Sequence, residues 1–173
     1  RAITQSYQSY VLKVQIETLR RLKYRPTGGF CFSSLADARP VISPSILDQR
    51  RVPKDAYAAG RAACAPGIVG ADLPPDWINP GDRLRLDVHL VNDLRAAIED
   101  AVVDIVVRWA GGEERSRFGG PVAPDDVVKV GRVDVIVPDT LGELAIELTA
   151  TDAQTGDLLA TNRYTTAVTL PPD

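Results

Sequence analysis

The chain reads as a mostly β protein, an immunoglobulin-like β-sandwich of about seven strands preceded by a segment of two helices and one strand. Three observations predict it. From Arg83 onward, apolar residues recur at every second position in short runs divided by Gly, Asp and Pro, the period of half-buried strands. Before that, residues 3–23 and 53–65 carry apolar or small residues three and four apart, the period of helices. Residues 68–80, rich in Pro, Gly and Asp, divide the two patterns, and the boundary is placed near Ala65, giving domains 1–65 and 66–173.

In the first helix, Ile3, Tyr7, Tyr10, Val11, Val14, Thr18, Leu19 and Leu22 make the apolar stripe. Gln5, Gln8, Lys13, Glu17 and Arg20 mark the side expected to face water. Arg20, Arg21 and Lys23 suit the negative end of the helix dipole, and Pro26 with Gly28-Gly29 stops the helix. The apolar run Phe30-Cys31-Phe32 reads as a buried strand. Residues 33–51 form a polar loop holding Ser33, Ser34, Asp37, Arg39, Ser43, Ser45 and Asp48. Such Ser and Asp residues commonly cap turns and helix starts, and Ser43-Pro44 suits a helix start. The second helix begins at Pro53, presents Ala56, Tyr57, Ala59, Gly60 and Ala63 as a small-residue face, and ends at Pro66-Gly67.

In the β region, Ile68-Val69 is a possible first strand and Asn79-Pro80-Gly81-Asp82 a turn. Strands follow around Leu84–Leu90, Val103–Trp109, Val133–Val137, Leu144–Leu148 and Leu158–Leu170. Their alternation and even spacing argue a sandwich of immunoglobulin type, with Trp109 as a core residue. Residues 111–120 place charged side chains between Gly pairs and read as a mobile hairpin or loop. Asp152 to Asp157 reads as a hairpin turn; it lacks the spacing and closing Glu of an EF-hand. His89, the single His, sits on the polar parity of its strand and reads as an exposed or edge residue. Cys31 and Cys64 are too few for a disulfide framework and read as buried free thiols. No metal site and no cofactor are expected.

Composition excludes whole classes of partner. The net charge of −3 offers no overall basic field to nucleic acid. No apolar run approaches the ~18 residues of a membrane span, and no signal peptide is expected. A soluble chain without a membrane partner is therefore expected, its compartment left open with the bacterial cytoplasm as the working expectation. The chain begins at Arg1 and contains no Met, so it is expected to be a piece of a longer protein.

One set of residues carries a family resemblance. Tyr24-Arg25-Pro26-Thr27-Gly28-Gly29-Phe30, then Asp37, Pro40, Ile42-Ser43, Ser45-Ile46-Leu47-Asp48, Pro53-Lys54 and Tyr57 resemble the last barrel strand and last helix of glycoside hydrolase family 2, above all its β-mannosidase-like members. Val91-Asn92-Asp93 resembles the start of the immunoglobulin-like domain that follows that barrel. The resemblance implies that residues 1–65 are the end of a catalytic (β/α)8 barrel, where substrate binds at the carboxyl ends of the strands. It also implies that Asp37 and Arg39 touch a carbohydrate substrate. The family usually has Trp at the places of Arg39 and Pro44, and Asn at the place of Ala36. An Arg offers hydrogen bonds in place of a flat apolar wall, which implies either a different sugar, such as an acidic one, or a decayed site.

The family's retaining mechanism uses two glutamates about 5–5.5 Å apart, and the resemblance places both before residue 1. The function expected is thus a carboxyl-terminal part of a β-mannosidase-like glycoside hydrolase, without catalytic residues and inactive alone. Its partners would be the remainder of the barrel or a homodimer mate, to cover the apolar stripe of the first helix. The alternative is a non-catalytic β-sandwich module for glycan binding or subunit assembly, with Trp77, Phe118 and Tyr164 as the aromatic candidates.

Overall fold

The computed structural model describes residues 2–170. The chain forms two compact units, Arg1–Ala65 and Pro66–Asp173. No helix among the described residues is long and apolar enough to cross a membrane.

The second unit holds two β-sheets around one core. Strands β1 (Gly67–Ala71), β2 (Trp77–Ile78), β3 (Arg83–Asn92), β4 (Ile98–Trp109), β5 (Gly112–Val122), β6 (Asp126–Ile136), β7 (Gly142–Asp152) and β8 (Leu158–Val168) follow in chain order. One sheet has the order β1-β3-β6 and the other β2-β8-β7-β4-β5. All pairings are antiparallel except β2 with β8. The period-two residues point inward: Leu84, Leu86, Val88 and Leu90 meet Val103, Ile105, Val107, Leu144, Ile146 and Leu148 in a single cluster. Burial of such side chains is worth about 1.5–3 kcal/mol each. Trp109 is half-buried against the cluster's margin. The turn before β3 closes through Asp82 N donating to Asn79 O at 3.2 Å, with Gly81 at φ +79°, a backbone region that glycine enters without steric cost.

Residues 111–120 form the return arm of a β4–β5 hairpin, one of the two readings expected, and not a loop. Apart from Gly111, they belong to β5, paired in register with β4 from Ala101↔Gly120 to Trp109↔Gly112. Arg117 reaches across to Asp104 and Arg108 to Glu113, so the charges that suggested mobility form cross-strand pairs on a wet face. Two residues of β5 turn inward. Val122 is buried, and the Phe118 ring packs beside the core. The short strand β2 also went unforeseen.

The first unit contains α1 (Ala2–Arg21) and α2 (Asp55–Ala63). The expected strand over Phe30-Cys31-Phe32 does not form. Residues 28–34 carry no ladder, and Phe30 and Phe32 are exposed, their rings meeting edge to face at 6.1 Å. A strand exists only where neighbours satisfy its backbone groups. Among the described residues of this unit, only isolated bridges occur (Lys23↔Thr27, Ala36↔Leu47, Leu47↔Pro53). Cys31 and Cys64 are consequently free but exposed, contrary to the buried thiols expected. Nor does a helix start at Ser43-Pro44: α2 begins at Asp55, and Lys54 precedes it without a side-chain cap.

Helix α1 buries the side opposite to the one its apolar stripe predicts. Ile3 is 85% exposed and Tyr7 68%, and Tyr10 is exposed as well, whereas Ile16 and Arg20 are buried. Two polar residues of the predicted wet side turn inward because each finds backbone acceptors. Gln8 Nε2 donates to Pro44 O (2.8 Å) and Ser45 O (3.0 Å), and Arg20 Nη1 donates to Ala63 O. Lys13 and Glu17 form an i,i+4 pair at 3.5 Å. Where α1 meets α2, a Cβ at Gly60 would stand 3.3 Å from Leu12 Cδ2, so glycine permits the close approach.

Candidate functional site

An open cleft of about 670 Å³ lies between α1 and the loop that precedes α2. Thr4, Gln5 and Gln8 supply its α1 side; Asp37, residues 40–44, Asp48, Gln49 and Lys54 supply the rest. The loop has no regular structure, so side chains hold it. Asp48 Oδ1 accepts from the backbone N–H groups of Arg50 (2.8 Å) and Val52 (2.9 Å), closing the turn before α2. Gln8 clamps the stretch at Pro44 and Ser45 onto α1.

Asp37 is the knot of this loop. It is buried, and its carboxylate accepts from the hydroxyls of Ser43 and Ser45 and pairs with Lys54 Nζ at 2.9 Å. Lys54 also donates to Ser45 Oγ at 3.1 Å. Ser45 Oγ lies 2.5 Å from Asp37 Oδ1 and 3.0 Å from Leu47 O; having one proton, it donates to one of them at a time. The hydrogen bonds from Ser43, then Ser45 and Lys54, hold the Asp37 carboxyl at about 2, below its ordinary 3.8. Each stabilises the ionised form.

This arrangement limits the chemistry. A carboxylate held ionised and tied by three donors cannot deliver a proton near neutral pH. Ser45 is fully buried, and its neighbour Lys54 is committed to Asp37, so the pair does not form an activated nucleophile. Asp48 is the other carboxylate of the cleft, and its Oδ1 is engaged in the loop turn. The cleft instead offers neutral hydrogen-bonding groups, among them Gln5 and Gln49, beside apolar Pro40, Val41 and Ile42. Among the described residues no cluster of His, Cys, Asp and Glu could hold a metal ion.

Of the two residues implied in sugar contact, Asp37 lines the cleft from beneath, while Arg39 is exposed on the loop and is not among the lining residues. The structure thus does not bring the two together around the cleft. Reading the sequence missed Gln8 and Gln5 as lining residues, because the apolar stripe of α1 had assigned their side of the helix to water, and it gave Thr4 no side. It also gave Lys54 no partner, since nothing in the spacing of Asp37 and Lys54 signals a contact.

The aromatic candidates of the second unit do not share a platform. Tyr164 is buried, its hydroxyl accepting from Ala71 N (3.2 Å) and Asn162 Nδ2 (2.9 Å). Phe118 is half-buried, and Trp77 is 52% exposed. His89 is half-buried on β3. Asp152 Oδ1 accepts from Gln154 N and Thr155 N in the turn between β7 and β8, the role expected of a hairpin.

No family model matches the chain, and no curated protein matches it. Solved structures similar to it include an alkylpurine DNA glycosylase from Pseudomonas fluorescens, at TM-score 0.45 and 15% identity, covering 67% of this chain and 34% of that one. A CARDB domain from Pyrococcus furiosus has TM-score 0.45 and 17% identity, covering 60% and 85%. Glycoside hydrolases are also among them: a β-glucuronidase from Bacteroides uniformis has TM-score 0.43 and 11% identity, covering 59% of this chain and 13% of that one. At such scores, none of the three bears on what this chain does.

Proposed function

We propose that the chain is a non-catalytic carboxyl-terminal part of a glycoside hydrolase of the β-mannosidase-like family 2 kind. In this reading residues 1–65 are the end of the catalytic barrel and present one wall of a sugar-binding cleft, and residues 66–173 are its immunoglobulin-like accessory domain. One observation carries the reading. Asp37, Pro40, Ile42, Ser43, Asp48 and Lys54, which carry the family resemblance and are scattered over 18 positions of the sequence, all line one cleft.

The cleft's role is to bind and orient. Neutral amides such as Gln5 and Gln49 suit sugar hydroxyls, and Arg39, exposed on the same loop, is available to a hydroxyl or carboxylate arriving from solvent. Asp37 acts through others: it fixes Ser43, Ser45 and Lys54 and so the shape of the wall. Hydrolysis with retention would need two free carboxylates facing each other across the glycosidic bond, which Asp37 and Asp48 do not supply.

The test is a titration of the 15N-labelled chain with mannose and with glucuronate. Shifts confined to residues 4–8 and 37–54 are expected. Shifts elsewhere, or none with either sugar at high concentration, would reject the sugar-wall reading. Turnover of an aryl β-mannoside by the chain would reject its non-catalytic part. The alternative of a glycan-binding sandwich is disfavoured, because Tyr164 is committed to the core and Phe118 is half-buried.

A further inference from the structure

Among the described residues, one segment of the first unit has a backbone without partners. No N–H or C=O of residues 28–34 pairs with another backbone group, and residues 28–35 are exposed throughout. Residues 28–32 contain neither turn nor bend. Phe30 is 40% exposed and Phe32 39%. The Phe32 ring still has a seat, since its Cζ would lie 3.8 Å from a Cβ at Gly60 on α2. That side chain anchors the segment while the backbone stays open. An open backbone with exposed aromatic side chains is a template for a further strand.

The sequence of the segment says which strand fits. Gly28-Gly29-Phe30-Cys31-Phe32-Ser33-Ser34 has the same character from either end: two small residues, Phe, a central Cys, Phe, two small residues. A two-fold axis through Cys31 sets an antiparallel copy with its Phe32 opposite Phe30 and its Phe30 opposite Phe32, all on one side. Cys31 falls opposite its own counterpart on the other side. Gly29 falls opposite Ser33, and these small side chains let the backbones close. Directly opposed aromatic residues are favourable cross-strand pairs. No charged residue occurs from Gly28 to Leu35, so nothing in the segment repels its copy. Strand β5 also pairs on one side only, but it carries Glu113, Glu114, Arg115 and Arg117, and such charges keep an edge from pairing.

We propose that residues 29–33 are a self-pairing strand through which two copies of this chain form a two-fold dimer. Such a contact uses the same surface on both copies, so it closes at two. It consists of backbone hydrogen bonds and aromatic contacts, so added salt has little hold on it. None of these residues lines the cleft, and the dimer is independent of any sugar-binding role.

Sedimentation velocity and thiol trapping of the intact chain test it. The reduced chain is expected to show a monomer–dimer equilibrium that persists as salt rises toward about 1 M. Opposed residues of antiparallel strands have Cα atoms about 4.5–5.5 Å apart, inside the roughly 4.4–6.8 Å that a disulfide spans. In a Cys64→Ser background, oxidised glutathione should therefore join Cys31 to Cys31 of the second copy. The two thiols give up two protons and two electrons, which convert the oxidised glutathione to two reduced molecules. Moving the thiol by Cys31→Ser with Ser33→Cys sets it opposite Gly29 instead of another thiol and should slow trapping at least tenfold. Phe30→Ser should weaken the reduced dimer at least tenfold, with circular dichroism melts reporting whether it folds; the comparison of thiol positions decides in either case. A monomer at every concentration, species larger than a dimer, or equal trapping from positions 31 and 33 would each overturn the proposal.

Discussion

Replacing Gly131 with alanine probes how β5, in one sheet, is fitted against β6, in the other. An ideal Cβ at position 131 would stand 2.4 Å from both Cγ and Cδ2 of Phe118 and 2.8 Å from Cε2. Carbon atoms in contact prefer about 3.5–4.0 Å, so the ring must retreat by roughly 1 Å or more. The near atoms sit at the root of the ring, and Phe118 is held opposite Val103 in the β4–β5 ladder, so rotation about χ2 alone does not relieve the clash. Overpacking of this kind costs about 1–3 kcal/mol. The backbone at Gly131 lies outside the left-handed region, so alanine returns about 0.4–1 kcal/mol by restricting the unfolded chain. A net loss of about 1–2 kcal/mol is expected, lowering the melting temperature by about 4–8 °C per kcal/mol for a unit of this size.

The assay is equilibrium unfolding in guanidinium followed by tryptophan fluorescence. Both tryptophans, Trp77 and Trp109, lie in the β unit, so the signal reports that unit alone. The deciding comparison is a double-mutant cycle. In a Phe118→Ala background the obstructing ring is gone, and Gly131→Ala should become neutral or slightly stabilising. An equal cost in both backgrounds would refute the ring-over-glycine account.

Four further outcomes are expected. Tyr164→Phe removes the acceptor of the Ala71 amide in a buried setting and should cost about 1–3 kcal/mol in the same denaturation assay. In α1, Ile16→Ala should cost about 2–5 kcal/mol, whereas Tyr7→Ser should stay within about 0.5 kcal/mol, as read by thermal melts; the reverse order would restore the face assigned from the sequence. Because Asp37 has its pKa depressed from 3.8 to about 2, its ionised form stabilises the loop fully above the unfolded value, and that contribution disappears as pH falls through the interval to about 2. Amide exchange over residues 37–54 should therefore accelerate on acidification across this interval, and Asp37→Asn should abolish the dependence. Cys31 and Cys64, both exposed, should both alkylate without denaturant, as counted by intact mass. The surroundings of Cys64 withdraw enough water to push its thiol above the ordinary value, so its reaction should need a higher pH than a free thiol does.

By itself, the sequence determined the β unit's interior. Leu84, Leu86, Val88 and Leu90 alternate with polar neighbours, and all four are buried, because strand parity is a local property that one buried face enforces. The change of period and the Pro- and Gly-rich stretch lie where the chain divides into its two compact units, Arg1–Ala65 and Pro66–Asp173. Tertiary structure decided the rest. Strand β5 has few apolar residues, and its existence depends on β4 supplying hydrogen bonds and opposite charges across the ladder. Helix α1 shows an apolar stripe, yet Gln8 and Arg20 turn the opposite side inward because carbonyls distant in sequence accept their protons. In the cleft, the polar loop was legible and its residues were named, but the Asp37–Lys54 pair spans 17 positions with no period to announce it. Local patterns state which side of an element is apolar; which side is buried depends on what the remaining chain brings against it.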